Sequence, residues 1–208
     1  MKRLFPIPCR ICSRSSGAGL CEEHLAGFAS ARCRREHSLA FSDGAVTCLS
    51  YRSEATELLF LCKSLGEHSA VDLLMREMLP EASALCQKVS CVTFVPRRRR
   101  VRAVTGVDQA ELLARALAKE LGVSCVRLLR RRTTSRRQHG LNRAERRENM
   151  KGAFAFSSRV VPTSVLLIDD VITTGATVSE CARVLKEGGV RRVWALAALF
   201  GGRDEEDA

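Results

Sequence analysis

The sequence is short of aromatic residues and of long apolar runs, and these shortages exclude several classes of protein. Phe, Tyr and Trp make up 5% of the 208 residues, with one Trp and one Tyr. A platform that stacks the bases of single-stranded nucleic acid usually needs more rings, although arginine can share that role. No run approaches the roughly 18 apolar residues of a membrane helix. Two early prolines break the apolar start, so we expect no secretory signal and a cytoplasmic protein.

Two common nucleotide-binding patterns are also missing. The sequence contains no G-x-x-x-x-G-K-[ST] loop, which argues against a nucleotidase of the P-loop type. Gly17 and Gly19 are followed by Glu22 where a G-x-G-x-x-G motif needs its third glycine.

The composition is that of a globular protein with an excess of positive charge. Hydrophobic residues make up 46% and charged residues 27%, and the formal net charge is +11. Such a charge predicts an anionic partner, either nucleic acid or a phosphorylated small molecule. Ten cysteines without a secretory signal indicate metal ligands or buried thiols rather than a disulfide framework.

The pattern of apolar residues divides the chain into two parts. Residues 1–40 are rich in cysteine, and we expect a small metal-binding element there. Residues 41–208 alternate short aliphatic runs with helical patterns, which predicts an α/β domain with a mainly parallel sheet. The predicted strands cover 45–51, 91–96, 125–129, 164–169 and 192–199, and the predicted helices cover 54–65, 69–79, 108–122 and 177–189. Sheets of this kind bind ligands beyond the carboxyl ends of their strands.

One such strand end carries the most informative stretch, "VLLIDDVITTGAT". Asp169 and Asp170 follow a buried strand, where unpaired charges would be costly, so we expect them to face a ligand or a metal. The loop at 173–177 then leads into a helix N-terminus, which favours an anion. The alternative is a simple turn and cap formed by Asp170 and Thr177. Carboxylates beside an anion site suit a ligand with both sugar hydroxyls and a phosphate.

The stretch resembles the phosphoribosyl pyrophosphate (PRPP) signature of the type I phosphoribosyltransferases. "YRSEATELLFLCKSLGEH", "VTFVPRRRRVRAVTGVDQAELLARALAKELG" and "RRRTTSRRQHGLNRAERRENMKGAF" resemble the ComF/GntX group of that superfamily, in that order. The resemblance implies a type I phosphoribosyltransferase fold with an N-terminal zinc element. It also implies PRPP with Mg²⁺ as ligand, pyrophosphate as product, and a link to competence and DNA uptake.

The resemblance also assigns roles to residues. The acidic pair would bind the ribose 2′- and 3′-hydroxyls, and the loop would hold the 5′-phosphate. The PRPP-binding residues would be Asp169, Asp170, Val171, Thr173, Thr174, Gly175, Ala176 and Thr177. Purine-salvage members of the superfamily carry an aspartate at the position of Thr173. A threonine cannot act as an acid or base near neutral pH, which argues against purine salvage.

The sequence departs from the group's pattern between the second and third predicted strands. The group commonly has R-G-F-N-Q where this chain has Thr105-Gly106-Val107-Asp108-Gln109. Arginines stand at 97–100, where hydrophobic residues usually follow Val-Pro. The region that would meet pyrophosphate or the acceptor therefore differs, and neither the acceptor nor turnover follows from the resemblance.

Arginine is concentrated in two segments that suit phosphate recognition. Residues 97–102 carry five arginines, and residues 127–147 carry nine against one acid. The planar guanidinium fits phosphate oxygens well, and the second segment stands where the superfamily has a loop that closes over diphosphate. A solvated face or a surface for single-stranded nucleic acid is the alternative. The candidates for pyrophosphate contact are Lys63, Arg97, Arg131, Arg132, Arg136 and Arg137.

The first cysteines have the spacing of a zinc knuckle. Cys9-x2-Cys12 and Cys21-x2-His24 would each supply two ligands from one turn. The segment has few core residues, so metal binding would stabilise it. Cys33 is the rival fourth ligand, and free cysteines in a loose leader are the alternative. The other six cysteines fall in apolar patterns and are predicted to be small core residues.

Overall fold

Short aliphatic runs form the strands, as the alternating pattern predicts. The computed structural model describes residues 7–16, 19–51, 53–65, 68–97, 108–132 and 150–202. The strands within these residues are β1 (Ile7–Pro8), β2 (Ser15–Ser16), β3 (Arg32–His37), β4 (Gly44–Ser50), β5 (Cys91–Phe94), β6 (Leu129–Arg131), β7 (Phe154–Phe156), β8 (Ser164–Ile172) and β9 (Arg192–Phe200). The helices are α1 (Glu22–Ser30), α2 (Ser53–Leu65), α3 (His68–Cys86), α4 (Gln109–Leu121) and α5 (Ala176–Glu187).

The main sheet is mostly parallel. Within the described residues it has five strands in the order β3-β4-β9-β8-β5. The pairs β4–β9, β9–β8 and β8–β5 are parallel, and β3 joins β4 as an antiparallel edge. The carboxyl ends of β4, β9, β8 and β5 therefore meet at one edge of the sheet.

Both faces of the sheet are covered, as its uninterrupted apolar strands require. Leu166 and Ile168 of β8 face a core that includes α3 and α4. Val165 and Leu167 of the same strand face a second core that includes α5. The predicted apolar faces of α4 and α5 are buried in these cores. The predicted α/β class, with helices flanking a mostly parallel sheet, is confirmed.

Three element boundaries differ from the predictions. The strand predicted at 125–129 contributes one parallel bridge from Cys125 to Val92, and the chain then pairs as β6 with β7 instead of joining the main sheet. Beside β5 this segment would be an edge strand of the main sheet, and its pairing with β7 instead gives a separate two-stranded sheet in which Arg130 is exposed. The third helix runs past Pro80 to Cys86, and β8 runs through the acidic pair to Ile172.

The N-terminal segment is joined to the main sheet through β3. This strand has the polar sequence RCRREH, which gives no clear strand signal, and the sequence did not predict it. The division at residue 40 stays a prediction. Within the described residues, no helix is both long enough and apolar enough to cross a bilayer.

Candidate functional site

A cleft of about 270 Å³ lies at the carboxyl ends of β5 and β8. Its position is the one expected for a ligand site in a parallel α/β sheet. The residues that line it are Val95, Pro96, Arg97, Asp108, Ala110, Arg131, Asp169, Asp170, Val171 and Thr177. The cleft thus brings together residues from β8, the end of β5, the start of α4, β6 and the first turn of α5.

Asp169 and Asp170 occupy the floor of this cleft. Asp169 is 7% exposed, and its Oδ1 accepts a hydrogen bond from the backbone N–H of Asp170 at 2.9 Å. Burial raises the pKa of Asp169 well above its ordinary value, and the negative charge of Asp170 raises it further. Two adjacent carboxyl groups are thus held together at a cost in free energy, which a ligand with hydroxyl donors would offset.

Two arginines from different elements reach the same cleft. The Arg97 Nη2 lies 3.9 Å from Asp170 Oδ2, at the end of β5. Arg131 comes from β6, where its guanidinium carbon lies 5.1 Å from the ring centroid of Phe154. The sequence-predicted residues Arg97, Arg131, Asp169, Asp170 and Val171 are therefore neighbours in space, although they span 75 positions of the chain.

The threonine-rich loop joins β8 to α5, as predicted. Gly175 precedes the helix with φ of 72°, in the left-handed region, and a side chain there would collide with Leu39. Thr177, in the first turn of α5, lines the cleft and donates its hydroxyl to Met150 Sδ at 3.7 Å. Because the first N–H groups of a helix lack intrahelical acceptors, this turn can bind an anion. Thr173, Thr174 and Ala176 belong to the loop but do not line the cleft.

Of the remaining pyrophosphate candidates, only Arg132 has a described side chain, and it does not line the cleft. Arg132 follows β6 and is exposed. Arg136, Arg137 and the Lys63 side chain lie outside the described residues, so their assignment stays a prediction.

Asp108 is a cleft residue whose role is not predicted from the sequence. It precedes α4, is 5% exposed, and accepts a hydrogen bond from the backbone N–H of Arg97 at 3.1 Å. Burial raises its pKa. Its only distinguishing feature in the sequence is that it is an acidic residue at the start of a helix, which is an ordinary capping signal.

A second group of polar side chains lies in the N-terminal segment. The ligand atoms of Cys9, Cys12, Cys21 and His24 all lie within 4.8 Å of one another. The Cys12 and Cys21 sulfurs are 3.8 Å apart, and Cys21 Sγ lies 3.1 Å from His24 Nδ1. A tetrahedral zinc ion about 2.3 Å from each sulfur would require sulfurs roughly 3.8 Å apart, so the four residues fit that metal.

Local structure holds this cluster together and lowers the pKa of Cys9 and Cys21 through hydrogen bonds, while burial and the neighbouring sulfurs raise the pKa of Cys12. Cys9 and Cys12 lie in the turn between β1 and β2, while Cys21 caps α1 and His24 lies in its first turn. Burial raises the pKa of Cys9, but hydrogen bonds from the backbone N–H groups of Cys12, Cys21 and Ile11 outweigh that effect and lower it to about 6. Because a thiolate is the form that binds metal, the cluster suits a structural metal ion.

Cys33, the rival fourth ligand, lies outside the cluster. Its sulfur accepts a hydrogen bond from Arg35 Nε at 3.2 Å on β3. Of the six cysteines predicted to be core residues, Cys48, Cys91 and Cys181 are buried, and Cys86 and Cys125 are partly buried. The Cys62 side chain lies outside the described residues.

Comparison with known proteins finds relatives that are named for DNA utilization and competence. No protein-family model matches the chain. It is 32% identical over 127 residues to the DNA utilization protein YhgH of Salmonella typhimurium, covering 60% of this chain and 56% of the relative. It is 39% identical over 98 residues to competence protein F of Haemophilus influenzae, covering 44% and 43%. It is 40% identical over 52 residues to competence protein ComFC of Streptococcus pneumoniae, covering 25% and 24%.

These relatives bear the names that the sequence motifs suggested. The resemblance to ComF proteins is confirmed. The chain spans about half the length of the curated relatives it matches. Among solved structures, orotate phosphoribosyltransferase from Aeropyrum pernix aligns with 82% of this chain and 76% of its own, at 20% identity and a TM-score of 0.43. That score is too low to support any inference about the site.

The cysteine cluster makes a specific prediction about metal content. Purified protein should contain about one zinc ion per chain, and Cys9→Ser should lose most of it and melt at a lower temperature. Cys33→Ser is the matched control and should keep the metal, because Cys33 lies outside the cluster. Elemental analysis with thermal denaturation measures both effects. Zinc-free wild-type protein, or full occupancy in Cys9→Ser, would contradict the assignment.

The raised pKa of Asp169 predicts a stabilising substitution. Asn at this position keeps an acceptor for the Asp170 N–H but removes the buried charge. Since the folded-state pKa is above the unfolded one, Asp169 destabilises the fold increasingly as pH rises through that pKa. Asp169→Asn should therefore raise Tm, and more at about pH 8 than at about pH 5. Each kcal/mol gained is worth roughly 2–4 °C in a chain of this size.

A variant that loses an exposed carboxylate is the control, because it changes the net charge by the same amount without removing a buried charge. Asp72 lies exposed on α3, so Asp72→Asn should leave Tm nearly unchanged at both pH values. An Asp169→Asn protein that is less stable than wild type near pH 8 would show that the buried carboxyl stabilises the fold instead.

Proposed function

We propose that the cleft binds PRPP with Mg²⁺ and that the protein is a phosphoribosyltransferase-like protein that transfers the phosphoribosyl group and releases pyrophosphate. The observation that carries the proposal is the meeting of three kinds of group in one cleft. The carboxyl groups of Asp169 and Asp170 share the cleft with the first turn of α5, at Thr177, and with the arginines Arg97 and Arg131. A phosphorylated ribose requires groups that accept hydrogen bonds from its hydroxyls, a site for its phosphate, and positive charge for its diphosphate.

The sugar and its 5′-phosphate would occupy the β8 side of the cleft. The ribose hydroxyls would donate hydrogen bonds to Asp169 and Asp170, which offsets the burial of these carboxyl groups. The phosphate would bind at the 173–177 loop, where Gly175 allows close approach of the backbone and the α5 N-terminus attracts negative charge. The acidic pair and the loop are consecutive in the chain, so β8 fixes the spacing between the two subsites.

The diphosphate would extend toward the part of the cleft that Arg97 and Arg131 line. Arg97 lies there, close to Asp170, and Arg131 enters the cleft from β6. The 5′-phosphate and diphosphate of the ligand carry more negative charge than these two arginines can neutralise, so a divalent cation bound with the ligand would balance the charge. When bound, Mg²⁺ would neutralise the diphosphate, mainly through the ligand's own oxygens and water. We propose that Lys63, Arg132, Arg136 and Arg137 also contribute to this side.

The reaction follows from the charges that develop. The bond from the ribose anomeric carbon to diphosphate breaks through an oxocarbenium-like transition state, and an acceptor forms the new bond there. Positioned arginines would stabilise the departing negative charge, which is electrostatic and positional catalysis. The cleft thus supports pentosyl transfer as the reaction class, with the acceptor open.

A second candidate function is the binding of single-stranded nucleic acid, with a PRPP or nucleotide site that does not turn over. Two observations favour it: relatives are named for DNA utilization and competence, and the net charge is +11. Arg130, Arg132, Arg191 and Arg192 are exposed and available to phosphates. A role in competence or DNA uptake would follow from either function.

The PRPP proposal is tested by removing one carboxylate from the cleft. Calorimetry with PRPP and Mg²⁺ should show binding by the wild-type chain, and Asp170→Asn should weaken it by roughly 1–3 kcal/mol. The amide accepts less strongly from ribose hydroxyls than the carboxylate does. Asp72→Asn removes the same charge from an exposed position on α3 and should bind like wild type.

One kind of result would overturn this proposal, and another would keep PRPP binding but remove catalysis. Equal affinity in Asp170→Asn and wild type, or no binding by the wild type, would show that the cleft is not a PRPP site. Binding without pyrophosphate release across a panel of amines and bases would leave a sensor or accessory role in place of catalysis.

The nucleic-acid proposal predicts binding that depends steeply on salt. A labelled single-stranded oligonucleotide should bind, and log K should fall with log salt with a slope of several ions, because each neutralised phosphate contributes about 0.7 to the slope. Glutamine at exposed Arg130 and Arg132 together should reduce that slope by about 1 to 2. Absence of binding near physiological salt would exclude this function.

A further inference from the structure

Asp108 is a buried acid whose hydrogen-bonding capacity is incompletely used. It lines the cleft and is 5% exposed. Its Oδ2 accepts from the backbone N–H of Arg97, whereas its Oδ1 is buried and has no hydrogen-bond partner among the residues that the structure describes. Gln109, the next residue, is 1% exposed, and neither its Oε1 nor its Nε2 has a hydrogen-bond partner among the described residues. Buried polar atoms without partners are rare in folded proteins, and in a cleft a ligand that supplies the missing hydrogen bonds would account for them.

The position of Asp108 shows which part of a ligand it would meet. Arg97 contacts two of the acidic residues of the cleft. Its guanidinium lies 3.9 Å from Asp170, and its backbone N–H donates a hydrogen bond to Asp108. An anionic group held by Arg97 would therefore lie near Asp108. An ionised Asp108 would repel that group, whereas a neutral Asp108 would donate a hydrogen bond to it.

We propose that Asp108 binds the diphosphate of PRPP as the neutral acid, donating its proton in a hydrogen bond, so that PRPP binding is linked to proton uptake. The inference rests on the proposed PRPP site and adds to it a residue that makes affinity depend on pH. No bond to carbon is made or broken at Asp108. The proton comes from solvent on binding and returns to solvent when the diphosphate leaves.

The charges around Asp108 favour the neutral form. Burial raises its pKa, and the Glu111 carboxylate on α4 raises it further. The backbone N–H groups of Arg97 and Glu111 and the Arg97 guanidinium act in the opposite direction, but they do not cancel the rise. Asp169 and Asp170 face it from β8, and Arg131 faces the same cleft from β6. A bound diphosphate adds negative charge beside this group and would raise its pKa again.

The pH dependence of affinity tests the proposal through a ratio. Asp108→Asn has the shape of the acid and offers an N–H donor, but it does not titrate. The ratio of Kd for wild type to Kd for Asp108→Asn cancels the ionisation of PRPP itself. With Mg²⁺ present, this ratio should rise with pH between about pH 6 and pH 8.5, approaching tenfold per pH unit above the Asp108 pKa. Asp72→Asn, which removes an exposed carboxylate from α3, should give a ratio near one throughout.

Ribose 5-phosphate, which lacks the diphosphate, separates the subsites. Its ratio should stay flat with pH, because it does not reach Asp108. Proton uptake by wild-type protein, read from calorimetry in buffers of different ionisation enthalpy, should be larger with PRPP than with ribose 5-phosphate near pH 8. This second measurement needs no variant and remains valid if Asp108→Asn does not fold.

The possible failures are distinguishable. PRPP binding with a flat ratio and equal proton uptake for the two ligands would overturn the role of Asp108 and leave the PRPP site standing. Tighter binding by wild type than by Asp108→Asn as pH rises would also overturn it, because that sign indicates an ionised Asp108 that accepts a hydrogen bond from a ligand hydroxyl. No PRPP binding by any variant would remove the proposed function and this inference together.

Discussion

The burial of the Asp169 carboxyl group beside the half-buried Asp170, near the end of β8, is the constraint on which the rest of the site depends. A parallel sheet covered on both faces forces the last residues of β8 out of water, and Asp169 is almost wholly enclosed. Its raised pKa records the cost of that position. Natural folds keep such costly groups where a ligand offsets them. The proposed sugar site is therefore a consequence of where β8 lies in the sheet.

The other parts of the site are arranged around this strand end by ordinary packing. Gly175 turns the chain tightly from β8 into α5, and Leu39, from the segment between β3 and β4, packs against it. The N-terminal segment thus contacts the proposed phosphate loop, although its cysteine cluster belongs to a separate hairpin and helix. A metal that orders this segment would support the loop indirectly, by fixing β3 on the edge of the sheet.

The sequence predicted those features that depend on local pattern. The apolar strands, the amphipathic helices, the acidic pair and the paired cysteines all carry signals within a few residues, and each was recognised. His24 was favoured over Cys33 by spacing, and the cluster geometry agrees. Features that depend on tertiary contact were missed. The polar edge strand β3 has no alternating apolar pattern in its sequence. The strand β6 is defined by its partner β7, more than twenty residues further along the chain, and Asp108 becomes unusual only when it is buried beside Arg97.

The central claim is that the cleft at the ends of β5 and β8 holds PRPP through the acidic pair. A crystal structure of the full chain with PRPP and Mg²⁺ tests it most directly. The ribose hydroxyls should lie about 2.6–3.2 Å from oxygens of Asp169 and Asp170, with the 5′-phosphate at the start of α5 and the diphosphate between Arg97 and Asp108. A ligand bound elsewhere, or a ribose turned away from the acidic pair, would contradict the claim.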